Sequence, residues 1–132
     1  MGRRGKDDEL WQDCKKKVYE LDLSQCLLCQ SMTVAEGIAF EKSKPYNTSK
    51  IDPAHHFPVS QRPDIMYDVN NVFCICREHH NRLDNCRHPI TGEVCNSEVT
   101  EYYWQRIITK RKENLEGGPK ADLPEFFDED LD

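Results

Sequence analysis

A chain of 132 residues with 37% hydrophobic residues and a mean hydropathy of -0.82 has material for one small core and no run near the roughly 20 apolar residues of a membrane span. Its formal charge of -6 sits at one end: residues 113–132 hold eight acids and one base, leaving 17 bases against 16 acids before them, so the body is near neutral. Seven cysteines, an odd number, behind an opening MGRRGKDDEL that carries no apolar leader, argue for reduced cytoplasmic thiols rather than a disulfide framework. A core this poor needs a further staple, and a bound metal ion would supply one.

Apolar residues at Leu10, Trp11, Cys14, Val18 and Leu21 fall on one helical face and predict a helix over about 7–22. Trp11 and Val18 belong to the core on this reading, and Lys15, Lys16 and Lys17 to its solvent side. Cys26 and Cys29 follow at C-x2-C spacing, from which two thiolates reach one metal across a tight turn. The redox reading of that motif requires a thioredoxin-like pattern around it, and none surrounds it.

A second pair, Cys76 and His79, lies at the same spacing in CREHHNRLDN, a stretch of good helix formers without Pro or Gly. On a helix these positions share a face, so Cys26, Cys29, Cys76 and His79 make a candidate Cys3His zinc site. Cys74 competes for the third thiolate, at a spacing that suits one helical face less well. The gap between the two pairs is too long for a C2H2 finger.

His80 lies about 100° around the helix from His79, and Asp84 one turn beyond it on the same face. Both are candidate ligands for a second metal. His55 and His56 offer a ligand and a neutral imidazole able to take a proton from water, as phosphodiester hydrolysis requires. Pro53 and Pro58 predict an irregular strand end there, since a regular strand would point the two rings to opposite faces.

Taken together, these positions resemble the HNH endonucleases of the ββα-metal fold, in the branch that carries zinc. His55-His56 is followed by Asn71, 15 residues after His56, and by His80, 9 residues after Asn71, with Cys26/Cys29 and Cys76/His79 in the places of the zinc ligands. The resemblance spans roughly residues 26–84. It implies an α+β fold: a small ββα core over about 26–85, stapled by structural Zn2+ and flanked by N- and C-terminal helices, within one domain of residues 1–116. It implies that His55 and His80 bind a catalytic divalent ion (Mg2+, Mn2+ or Ni2+) and that His56 is the general base. Asn71, with Asn70 as its rival, would hold the loop and orient His56 or, as in some branches, bind the metal directly. Asp84 stands where related members place a further histidine and would be an additional ligand. The implied activity is hydrolysis, by nicking, of DNA phosphodiesters to 5'-phosphate and 3'-hydroxyl ends. Phage and bacterial relatives imply packaging or recombination proteins as partners.

Arg62 is a candidate phosphate contact in the loop between the histidines and Asn71. After the helix, Cys86, His88 and Cys95 lack a C-x2-C pair and are weak metal candidates. Ser97 is expected to cap a helix over 97–116, in which Tyr103 and Trp104 pack on the core and Arg106, Lys110, Arg111 and Lys112 reach the DNA backbone. Residues 117–132 read as a flexible acidic tail. The alternative function is a non-catalytic zinc module binding nucleic acid or protein. A zinc deaminase would need H-x-E and P-C-x-x-C, which the chain lacks.

Overall fold

The computed structural model describes residues 6–45 and 50–117, so the expected acidic tail lies outside the described residues except for Gly117, which ends the last helix. The elements run α1 (Lys6–Leu21), α2 (Leu27–Ser31), α3 (Val34–Ser43), β1 (Ile51–His55), β2 (Val72–Cys76), α4 (Arg77–Asp84) and α5 (Ser97–Gly117). The class is α+β, with one antiparallel two-stranded sheet. Among the described residues no helix is long and apolar enough to cross a membrane.

Helix α1 follows its apolar stripe: Cys14 and Val18 are buried and Trp11 and Leu21 half-buried, while Leu10 is exposed. Leu23 and Ser24 then take left-handed backbone conformations (φ 56° and 54°) that reverse the chain into α2. Helix α3 went unpredicted, yet its start carries a readable signal in Thr33-x-x-Glu36. Glu36 N–H donates to Thr33 Oγ1 at 3.1 Å and Thr33 N–H to Glu36 Oε1 at 2.9 Å, a reciprocal cap for two otherwise unpartnered amides.

The strands pair from Ile51↔Cys76 to His55↔Val72, with Pro53 opposite Cys74. All of β2 is buried, which fits its unbroken apolar sequence VFCIC. Val72 and Cys74 pack with Cys14 and Val18 of α1; Phe73 and Ile75 pack on the other face with Leu27, Leu28, Trp104 and Ile107. Each such fully buried aliphatic side chain stabilises the fold by roughly 1.5–3 kcal/mol. Pro53 was expected to mark an irregular end, but it sits within β1, where its position asks for no amide. Cys74 N–H points away from β1, to Asp22 Oδ2 at 2.9 Å, so the opposing Pro53 nitrogen also faces outward.

Helix α5 is capped by Asn96, not by the expected Ser97, which already lies in the first turn. Asn96 Oδ1 accepts from Val99 N–H at 3.1 Å. Thr100, Tyr103, Trp104, Ile107 and Arg111 form its buried face. Tyr103 and Trp104 therefore pack in the core, as expected.

Arg111 corrects the sequence reading. It is only 6% exposed; Nε and Nη2 donate to the buried Asp22 carboxylate at 2.9 and 2.7 Å, and further bonds reach Val69 O (2.6 Å) and Val72 O (2.7 Å). A guanidinium so enclosed is an internal strut and has no reach to a phosphate. A second strut, Arg82, joins Glu78 at 2.8 Å and the carbonyls of Pro89 and Ser43 at 2.9 and 3.1 Å, tying α4 to α3 and to the loop before α5.

Candidate functional site

Two helix N-termini converge on one point. Cys26 caps α2, Cys29 lies one turn into it, Cys76 caps α4, and His79 follows one turn later. His79 Nδ1 lies 3.6 Å from Cys26 Sγ, 3.7 Å from Cys29 Sγ and 3.3 Å from Cys76 Sγ, and Cys29 Sγ lies 4.0 Å from Cys76 Sγ. A tetrahedral zinc with bonds of about 2.3 Å to sulfur and 2.0 Å to nitrogen has sulfur–sulfur edges of about 3.8 Å and sulfur–nitrogen edges of about 3.5 Å. The four donors therefore outline the coordination sphere of one such ion, and 4.0 Å is far beyond a disulfide bond.

The chemistry of the cluster agrees with its shape. Burial pushes the Cys26 thiol up to about 12, and hydrogen bonding with Cys26 and Cys76 raises that of Cys29. Cys76 is lowered, by hydrogen bonds from those two thiols first and by His79 as well. Without a cation, three crowded sulfurs share very little negative charge; a divalent ion would let all of them ionise. The His79 ring is fully buried against Phe40, with centroids 4.0 Å apart, and its Nε2 has no hydrogen-bond partner among the described residues. All of that ring's polar anchoring is thus at Nδ1, inside the cluster. Cys74, the rival ligand, turns its thiol to Val18 O at 3.7 Å on the α1 side.

The second constellation is looser. His55, His80 and Asp84 line one cavity of about 320 Å3 together with Pro58 and Val59. His80 lies between two carboxylates: Nδ1 donates to Asp52 Oδ2 at 3.0 Å, and Nε2 faces Asp84 Oδ2 at 3.1 Å. The Asp84 hydrogen bond, with Asp52 behind it, raises the His80 pKa against the effect of burial. Burial opposes the charge of Asp52, but hydrogen bonds from Arg77 and His80 outweigh it and hold its pKa below the usual carboxylate range. His55 meets Met66 O through Nε2 at 2.8 Å and stacks on Trp11 at 5.3 Å. His55 thus has one nitrogen fixed by an oxygen, the arrangement that commonly orients metal-binding histidines, whereas His80 has a carboxylate at each nitrogen. Their donors are less gathered than those of the thiol cluster, which is the only group of three or more Cys, His, Asp or Glu donors within 4.8 Å of one another among the described residues.

His56 stands apart from that cavity. Its ring turns to the α5 side, beside Phe57 and Trp104, with Nε2 at 2.9 Å from Glu101 Oε1. The rings of His55 and His56 therefore diverge, although His56 lies beyond the end of β1. Asn71, 3% exposed, holds the turn: its carbonyl accepts His56 N–H at 2.9 Å, its Oδ1 accepts Phe57 N–H at 2.9 Å, and its Nδ2 donates to Phe57 O at 3.1 Å. Asn70 is exposed, its N–H bonded to Asp68 Oδ1 at 2.9 Å.

The residues expected to hold phosphate are mostly occupied internally. Arg106 is clamped on Glu36 (2.8 and 2.6 Å) and Ser31 O (2.6 Å), and that contact holds the Glu36 carboxyl down to about 2. Lys110 lies 3.5 Å from Glu113, and Arg62 is exposed and paired with Asp64 at 2.8 Å. Asp52 and Glu101, the carboxylates that hold His80 and His56, went unpredicted. They stand 28 and 45 residues from their partners, and no local spacing announces them. No protein-family model, curated protein or solved structure matches the chain, so the assignment of function rests on this geometry and on the sequence pattern.

Proposed function

We propose that the chain is a metal-dependent DNA endonuclease of the HNH type, its Cys3His cluster holding a structural zinc. The observation that carries this reading is the double use of α4: one face delivers His79 to the thiols, and the next position, His80, shares a cavity with His55 and Asp84. The order β1, loop, β2, α4 and the Asn71 clamp on the turn after His56 support it.

In this reading His55, His80 and Asp84 hold the divalent ion, with Asp52 keeping the His80 ring in place from Nδ1. The ion, Mg2+, Mn2+ or Ni2+, would supply positive charge for the phosphate and the departing 3'-oxygen. A proton stands on His80 Nε2 when both nitrogens face carboxylates, and it must leave before that nitrogen can ligate. His56 takes a proton from the attacking water. Its Nε2–H, directed at Glu101, leaves Nδ1 with the lone pair. The buried Asn71 fixes the backbone from which this ring projects. Because His56 does not line the cavity, its ring must turn towards the substrate for that step.

That same displacement favours the second reading, a zinc module without catalysis. Plasmid cleavage by zinc-replete protein with added Mg2+, Mn2+ or Ni2+, beside His56→Ala, separates the two. Metal-dependent nicking lost in a variant that keeps its zinc and helicity supports the nuclease. Absence of cutting by the wild type on supercoiled, linear or branched DNA rejects it.

A further inference from the structure

Between α1 and the start of α4 lies a groove of about 690 Å3 whose wall includes His80 and Asp52, so it opens beside the cavity of His55, His80 and Asp84. Four cations line it: Lys15 and Lys16 from α1, Lys50 ahead of β1, and Arg77 at the start of α4. The single carboxylate among its walls, Asp52, is already paired with Arg77 at 2.9 Å and with His80 at 3.0 Å. In a body that is near neutral over residues 1–112 this is a local concentration of positive charge. The groove is also firmly built, because Tyr19 OH donates to Ile51 O at 2.7 Å and fastens α1 to β1 along its floor. On α5, Arg106 and Arg111 are tied to carboxylates and carbonyls.

We infer that this groove is the nucleic-acid surface of the protein and takes the sugar-phosphate backbone of a strand leading into the His55–His80 cavity. Only the destination of the strand rests on the nuclease reading; the binding itself needs no cleavage. Repeating phosphates need cations at intervals along a trough and nothing specific to a base. Lys15 and Lys16 are successive residues of α1, about 100° apart around the helix, and both line the groove, while Lys50 and Arg77 provide charge on the opposite side. The sequence assigned α1's lysines to solvent and α5's cations to DNA, and the groove reverses those roles.

The test is anisotropy of a fluorescein-labelled duplex oligonucleotide, with no added divalent cation, across a salt series. Lys15→Gln/Lys16→Gln should bind about tenfold more weakly near 0.1 M salt, with a salt slope lower by about two, because two phosphate contacts are lost. Lys110→Gln/Lys112→Gln should bind like the wild type. Quenching of tryptophan emission on binding should report Trp11, since Trp104 is buried. Wild-type affinity in the α1 variant, an equal loss in the α5 variant, or no binding of duplex or single strand by the wild type overturns the inference. Binding through α1 without cleavage leaves the groove and removes the nuclease; cleavage with undiminished binding by the α1 variant does the reverse.

Discussion

Helix α4 separates two candidate ligand sets that are built by different physics. The Cys26, Cys29, Cys76 and His79 donors come from helix caps and first turns, lie within 4.8 Å of one another and are mostly buried. The donors of His55, His80 and Asp84 line an open cavity, and each histidine is fixed by an oxygen outside the set. A closed set stores folding energy, whereas an open one keeps room for a substrate. A closed, four-ligand arrangement is what structural zinc uses, and catalytic sites keep a position free.

The strongest way to break this comparison is to remove the closed set. With the cluster holding zinc as proposed, chelation or Cys76→Ala should unfold the domain outright, because a structural zinc contributes on the order of 10–16 kcal/mol in small folds. Loss of helicity by circular dichroism should parallel loss of zinc by elemental analysis. Native-like helicity in the zinc-free protein would show that the cluster is not a staple.

Removing the open set should leave the fold alone. On the nuclease reading proposed above, His80→Ala should lower nicking by about 10²-fold or more, with metal content of the thiol cluster and melting temperature close to the wild type. A large drop in melting temperature would place His80 among the structural residues instead. Breaking the buried Asp22–Arg111 pair by Arg111→Met should cost about 3–5 kcal/mol in urea unfolding, since the Asp22 carboxyl would stay enclosed without its partner.

The smallest expected effect concerns pH. The Glu36 carboxyl, lowered from 4.5 to about 2 chiefly by Arg106, adds stability that is present above the unfolded value and lost as pH falls through the folded one. Wild type should lose about 1–2 kcal/mol more than Glu36→Gln between those two values, after discounting for the partly open site. Parallel acid melts of the two proteins would show instead that the α3–α5 clamp contributes nothing.

What was legible in the sequence was local. Two x2 pairs bring all four thiol-cluster ligands into view because caps and first turns fix their geometry within three or four residues. His80 and Asp84 were readable for the same reason, as was the apolar stripe of α1. Charge at a distance was not. Arg111 reads like any lysine or arginine on a helix, and only its packing against Asp22, 89 residues away, shows that it is buried. Arg106 hides its role in the same manner, behind a capping glutamate 70 residues earlier. The divergence of His55 and His56 also depends on tertiary contacts, with Trp11 on one side and Glu101 on the other.

The Asp22–Arg111 pair has a meaning for how this molecule avoids its own copies. A two-stranded sheet has two open edges, each a template for adding a foreign strand. Along β2 the carboxylate takes the Cys74 amide and the guanidinium gives to the Val72 carbonyl, the same two backbone groups that a third strand would engage. Along β1, Pro53 removes an outward amide altogether. The ion pair thus acts as a surrogate strand made of side chains. Arg111→Met should therefore fail by concentration-dependent association, visible as light scattering below its melting temperature, before it fails by simple unfolding.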